Sequence, residues 1–149
     1  MIDVVIDIAK ADVYEEVAKN TAYLGSRMES ETTYRRMFTT AEDETLLERF
    51  WQEAKVILST NRRRVLTEVF ERDGVLRLNL SLSASYSEAL TESMAGSARS
   101  YFVAAVTAKW LSVMGQADAQ TFATEAAALQ DDVLRKVFFK RKPVRRSSN

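Results

Sequence analysis

The side chains whose types and spacing could do chemistry fall into three groups. Asp3 and Asp7 lie four residues apart near the start of the chain, Arg62, Arg63 and Arg64 form a dense basic run, and Lys140, Arg141, Lys142, Arg145 and Arg146 form a second. Paired carboxylates can move protons or hold Mg²⁺. In extended chain, however, a spacing of four separates two Cα atoms by ~13 Å, too far to share an ion without a third ligand. The basic runs suit phosphates or an acidic protein surface. Phe138 and Phe139 are the only aromatics beside the C-terminal run, so base stacking has little support there.

The rest of the inventory is restrictive. The chain of 149 residues contains no His and no Cys. That removes Ser-His-Asp and Cys-His pairs, imidazole and thiolate metal ligands, and disulfides. What remains is carboxylate, Lys, Tyr or Ser chemistry. No GxGxxG, P-loop or HExxH pattern occurs, so nothing cradles a nucleotide or ligates zinc. The sequence therefore assigns no catalytic, cofactor-binding or metal residue and points to a protein that is not an enzyme. The absence of cysteine fits a reducing compartment.

Charge is balanced in total, 21 Lys+Arg against 21 Asp+Glu, but not along the chain. Residues 1–60 carry 12 acids and 7 bases, whereas residues 61–149 carry 9 acids and 14 bases. Such a dipolar chain suits head-to-tail contacts in which an acidic face meets a basic one. No apolar run approaches the ~20 residues that span a bilayer, and the first residues lack the features of a signal peptide.

The elements that must position these groups read as follows. Ile2 to Ile8 alternates, with Ile2, Val4, Ile6 and Ile8 on one face, and predicts a strand. A helix is expected from Val13 to Leu24, after a capping pair Asp12 and Glu15. Ser26 to Thr33 reads as loop and Tyr34 to Phe38 as a short helical turn. Thr39 to Glu44 is an acidic helix start, followed by a stripe of Leu46, Leu47, Phe50, Trp51, Ala54, Ile57 and Leu58. Val65, Leu66, Val69 and Phe70 continue the spacing and predict one long helix to about Arg72, bent near Asn61 and ended by Asp73-Gly74. Arg62–Arg64 would then lie on a helix face, with Glu68 and Glu71 as local partners.

Val75 to Ala84 alternates cleanly and predicts a second strand. Its partner is the N-terminal strand or a second copy of the chain. A helix over Ser87–Met114 follows, capped by Ser85 or Ser87, with Gly96 as a bend or a point of close approach. The last helix runs from Asp118 to about Lys140, with Phe122, Ala126, Leu129, Val133 and Val137 on one face, and Pro143 stops it. The expected fold is mainly α: a bundle of about four helices with a minor β element. It forms one domain over residues 1–140, followed by a basic tail, 141–149.

The run Thr39-Thr40-Ala41-Glu42-Asp43-Glu44 leading into Leu46-Leu47-Glu48-Arg49-Phe50-Trp51-Gln52-Glu53-Ala54 resembles the start of the head–tail connector (head-completion, or neck adaptor) proteins of tailed phages. In that family an acid-capped helix is followed by an extended segment and two more helices. Here these would be Val75–Ala84, Ser87–Met114 and Asp118–Lys140. The N-terminal strand departs from the pattern. The resemblance implies a structural virion protein, assembled in the host cytoplasm. It would form a homo-oligomeric ring between portal and tail around the DNA channel, contacting portal, tail or neck proteins and DNA backbone, with no catalytic residues and no membrane. The alternative is a cytoplasmic helical interaction or nucleic-acid-binding module that uses Arg62–Arg64 and the tail.

Overall fold

The computed structural model describes residues 1–25, 43–61 and 64–138. The elements run β1 (Ile2–Ala9), α1 (Lys10–Gly25), α2 (Glu44–Asn61), β2 (Leu66–Arg72), β3 (Val75–Leu82), a 3-10 turn (Glu88–Leu90), α3 (Thr91–Val113) and α4 (Ala119–Val137). The fold is mainly α, with four helices and one small sheet among the described residues.

The sheet is antiparallel with order β1-β3-β2. Register follows from alternation: Val4, Ile6 and Ile8 stand opposite Leu80, Leu78 and Leu76, and all six are buried. A slip of one residue would turn this set to solvent, so the pairing is strongly specified. β3 is the central strand, and both its neighbours belong to the same chain. Of the two partners expected for this strand, the N-terminal strand is the one that pairs with it, and β2 takes its other side.

The long helix expected to reach Arg72 is also corrected. α2 ends at Asn61, and Leu66–Arg72 is a strand. Asp73 and Gly74, at φ 53° and 76°, form the two-residue turn that joins β2 to β3. Positive φ at both central residues is what a type I′ hairpin requires, and Asp-Gly supplies it. Residues expected to end a helix instead reverse a strand.

α3 is the axle of the molecule. It touches α4, α1, α2 and β1, and its Met94, Phe102, Val106 and Leu111 are fully buried. Trp51 of α2 stacks on Phe102 with ring centroids 4.5 Å apart, while Tyr14 of α1 meets Trp51 edge-on at 6.4 Å. Burying such aromatics dominates core energetics. One expected core position lies outside: Ile57 is 46% exposed. Gly96 sits in an unbroken helix with open space where a Cβ would be, so no close neighbour requires a glycine there. Ser87 and Asp118 precede their helical segments without a side-chain cap hydrogen bond. At Asp118 the carbonyl oxygen, accepting from Thr121 N–H, satisfies the first turn.

Candidate functional site

Lys, Tyr and carboxylate side chains, the chemistry left open by composition, meet where α1, α2 and β2 converge. Lys10 begins α1 directly after β1. Its Nζ lies 2.6 Å from Glu48 Oε2 and 3.0 Å from Glu71 Oε2. Glu71 Oε1 also accepts from Trp51 Nε1 at 2.6 Å and from Lys55 Nζ at 3.0 Å. Tyr14 donates its hydroxyl to Glu48 Oε2 at 3.1 Å, and Gln52 donates to Glu48 Oε1 at 2.9 Å. Lys10 Nζ also sits 5.4 Å from the centre of the Trp51 ring, within cation–π range.

The electrostatics show what this network can do. Burial raises the Glu71 carboxyl, but the bonds from Trp51, Lys55 and Lys10 outweigh it and bring the pKa down to about 2. Glu48 is lowered in the same way: burial opposes, and Lys10, Gln52 and Tyr14 prevail. Burial opposes the charge on Lys10, yet hydrogen bonds to Glu48 and Glu71 hold its pKa above the usual value. Burial, then the Glu48 charge, pushes the Tyr14 phenol well up. Two cations face two anions, and each carboxylate oxygen already accepts a hydrogen bond. The shifts move Glu48 and Glu71 further below neutrality and Lys10 and Tyr14 further above it. The arrangement is a polar clasp joining β1–α1, α2 and β2. Nothing in the sequence joins Lys10, Glu48 and Glu71, because they come from three separated elements with no shared spacing.

Asp3 and Asp7 project from the solvent face of β1. Asp7 is engaged by Arg77 of β3, which donates from Nε at 2.8 Å and from its terminal nitrogen at 2.9 Å. This hydrogen bond lowers the Asp7 pKa. The pair is a cross-strand contact on an exposed sheet face. Among the described residues no group of three or more acids is placed to hold a metal ion.

A smaller polar lock joins the long helices. Ser97 of α3 donates to Asp132 Oδ2 of α4 at 2.6 Å, and Lys136 Nζ reaches Ser97 Oγ at 2.9 Å and Asp132 at 2.6 Å. Lys136, then Ser97, lowers the Asp132 pKa, and the three side chains engage one another across α3 and α4.

Of the basic residues, Arg64 lies within the described structure, while Arg62, Arg63, Lys140, Arg141, Lys142, Arg145 and Arg146 lie outside the described residues. Arg64 is exposed in the turn before β2 rather than on a helix face. Its expected partners are committed elsewhere: Glu68 accepts from Asn79 Nδ2, and Glu71 belongs to the clasp. Arg64 and Phe138 line one apolar groove, together with Met1, Val65, Leu82 and Tyr86. The chain positions bordering both basic runs therefore meet at one end of the molecule, where β1 begins and α4 ends.

A second groove, roughly 380 Å³, lies between α1, α3 and α4. Val103, Ala104 and Phe122 line it beside Asp12, Glu15, Glu16 and Glu125, with Arg99 as its cation. Glu125 stands near the start of α4 and Phe138 just past its end. The acidic groove and the departure point of the basic tail are thus separated along the length of one helix.

No helix among the described residues is long and apolar enough to cross a membrane. Compared with known proteins, the chain matches no protein-family model, no curated protein and no solved structure.

Proposed function

We propose that this protein is a structural assembly subunit, a head–tail connector of a tailed phage that forms a ring between portal and tail. The observation that carries the reading is that the described positions bordering both basic runs meet at one end, away from the acidic groove. They meet at the Arg64–Phe138 end, and Glu125 of the α1–α3–α4 groove lies thirteen residues, ~20 Å along α4, from Phe138. Unlike surfaces at opposite ends favour heterologous, head-to-tail contacts, which close into rings or grow into filaments. The polar clusters add support, because they are internally neutralised and join elements rather than face a substrate. Electron microscopy of the purified chain, alone and mixed with portal protein, tests the reading. Rings, or a portal-bound collar, are expected. A chain that stays monomeric and never joins a portal or tail component would sink it.

The second reading is a nucleic-acid-binding module, favoured by the meeting of Arg64 and the start of the basic tail at one groove. It predicts binding of labelled DNA that falls steeply with added salt, as counterion release demands.

A further inference from the structure

We infer that the groove between α1, α3 and α4 is the docking surface for the basic run Lys140–Arg146 of a second copy of this chain. The inference rests on the assembly reading above and names its contact. Val103, Ala104 and Phe122 give the groove an apolar floor, and Asp12, Glu15, Glu16 and Glu125 form its rim. Arg99 lies in the groove, and Lys19 pairs with Glu15 and Glu16 at 3.3 Å and 3.5 Å. The rim keeps an excess of two negative charges, and the run it receives carries five cations: Lys140, Arg141, Lys142, Arg145 and Arg146.

Reach limits which part of the run the chain's own tail could supply. Glu125 lies thirteen residues before Phe138, which is ~20 Å along α4 at 1.5 Å per residue. Lys142 lies four residues beyond Phe138, so even fully extended its Cα stays within ~14 Å of it. A chain therefore cannot lay its Lys140–Lys142 segment along its own groove; Arg145 and Arg146, seven and eight residues past Phe138, could span ~25–28 Å, but seating the whole run takes a neighbour. A neighbour placed head to tail can supply it. Because groove and tail are different surfaces, the contact repeats from copy to copy.

Charge reversal tests the contact. One variant carries Glu16→Lys and Glu125→Lys in the groove; the other carries Lys140→Glu and Lys142→Glu in the tail. Glu16 and Glu125 are exposed, so the groove variant is expected to keep its fold, which far-UV circular dichroism checks for both. In sedimentation velocity at low salt the unchanged chain is expected to associate and each variant alone to lose association. An equimolar mixture of the two is expected to regain it, because each reversed groove then meets a reversed tail. Undiminished association of the groove variant would overturn the docking surface while leaving the assembly reading intact. So would a tail variant that loses only DNA binding. A monomeric unchanged chain, with and without portal protein, would overturn both.

Discussion

Trp51 Nε1 donates to Glu71 Oε1 at 2.6 Å, so a fully buried indole on α2 is tied to a carboxylate that β2 turns inward. This bond fixes the hairpin to the helical layer and makes Glu71 the centre of the clasp. Removing its charge leaves Lys10 and Lys55 sharing less than they need, since a part-buried ion left without its partner is costly. Glu71→Gln is expected to destabilise the protein by about 2–4 kcal/mol. Urea unfolding measures this. Glu68→Gln on the exposed face of the same strand serves as the control, expected within about 0.5 kcal/mol of the unchanged protein.

The same carboxylate sets an acid limb. Its pKa falls from 4.5 to about 2 on folding. A depressed folded pKa contributes stability that is present above the unfolded value and is lost as pH falls through the folded one. The window is therefore roughly pH 4.5 down to 2, and the contribution is on the order of 3 kcal/mol. Glu48 is lowered as well and acts in the same direction. Unfolding midpoints measured across this range should drop for the unchanged protein and much less steeply for Glu71→Gln. Parallel curves for the two would contradict the assignment.

The Asp73-Gly74 turn makes a conformational prediction. Gly74 has φ 76°, where a side chain strains the backbone. Gly74→Ala is expected to cost about 1–2 kcal/mol, although no atom lies near the added methyl. Asp73→Asn, whose side chain also tolerates this region, is expected to be nearly neutral. Thermal unfolding of the pair checks both.

That turn also shows what was legible in the sequence. β1 and β3 were plain, because Val4, Ile6, Ile8 and Leu76 to Leu82 alternate on a buried face. β2 was disguised. A bulge between Leu66 and Glu68 shifts the register, so the inward residues are Leu66, Val69 and Glu71. Their spacing of three, then two, imitates a helix at its first step. The inward position of Glu71 breaks the apolar pattern at its second. Asp73-Gly74 was itself the hairpin signal that outweighs such spacing. The clasp was illegible for a different reason: Lys10, Glu48 and Glu71 are joined only by the tertiary fold.

Ile57 offers a test of the helix faces. It falls on the α2 stripe by spacing, yet it is 46% exposed, while Ala54 one turn earlier is buried and its carbonyl accepts from Tyr101 Oη at 2.9 Å. Ile57→Glu is expected to change stability by under about 1 kcal/mol, whereas Ala54→Glu, which puts a charge into a packed core, is expected to prevent folding. Circular dichroism and soluble yield separate the two.

Head-to-tail assembly driven by charge separated along the chain has a signature in solution. Sedimentation velocity of the unchanged chain across a salt series tests it most directly. Species larger than a monomer are expected at low salt, dissociating as salt screens the contacts between unlike ends. A single monomeric boundary at every salt and protein concentration would contradict it.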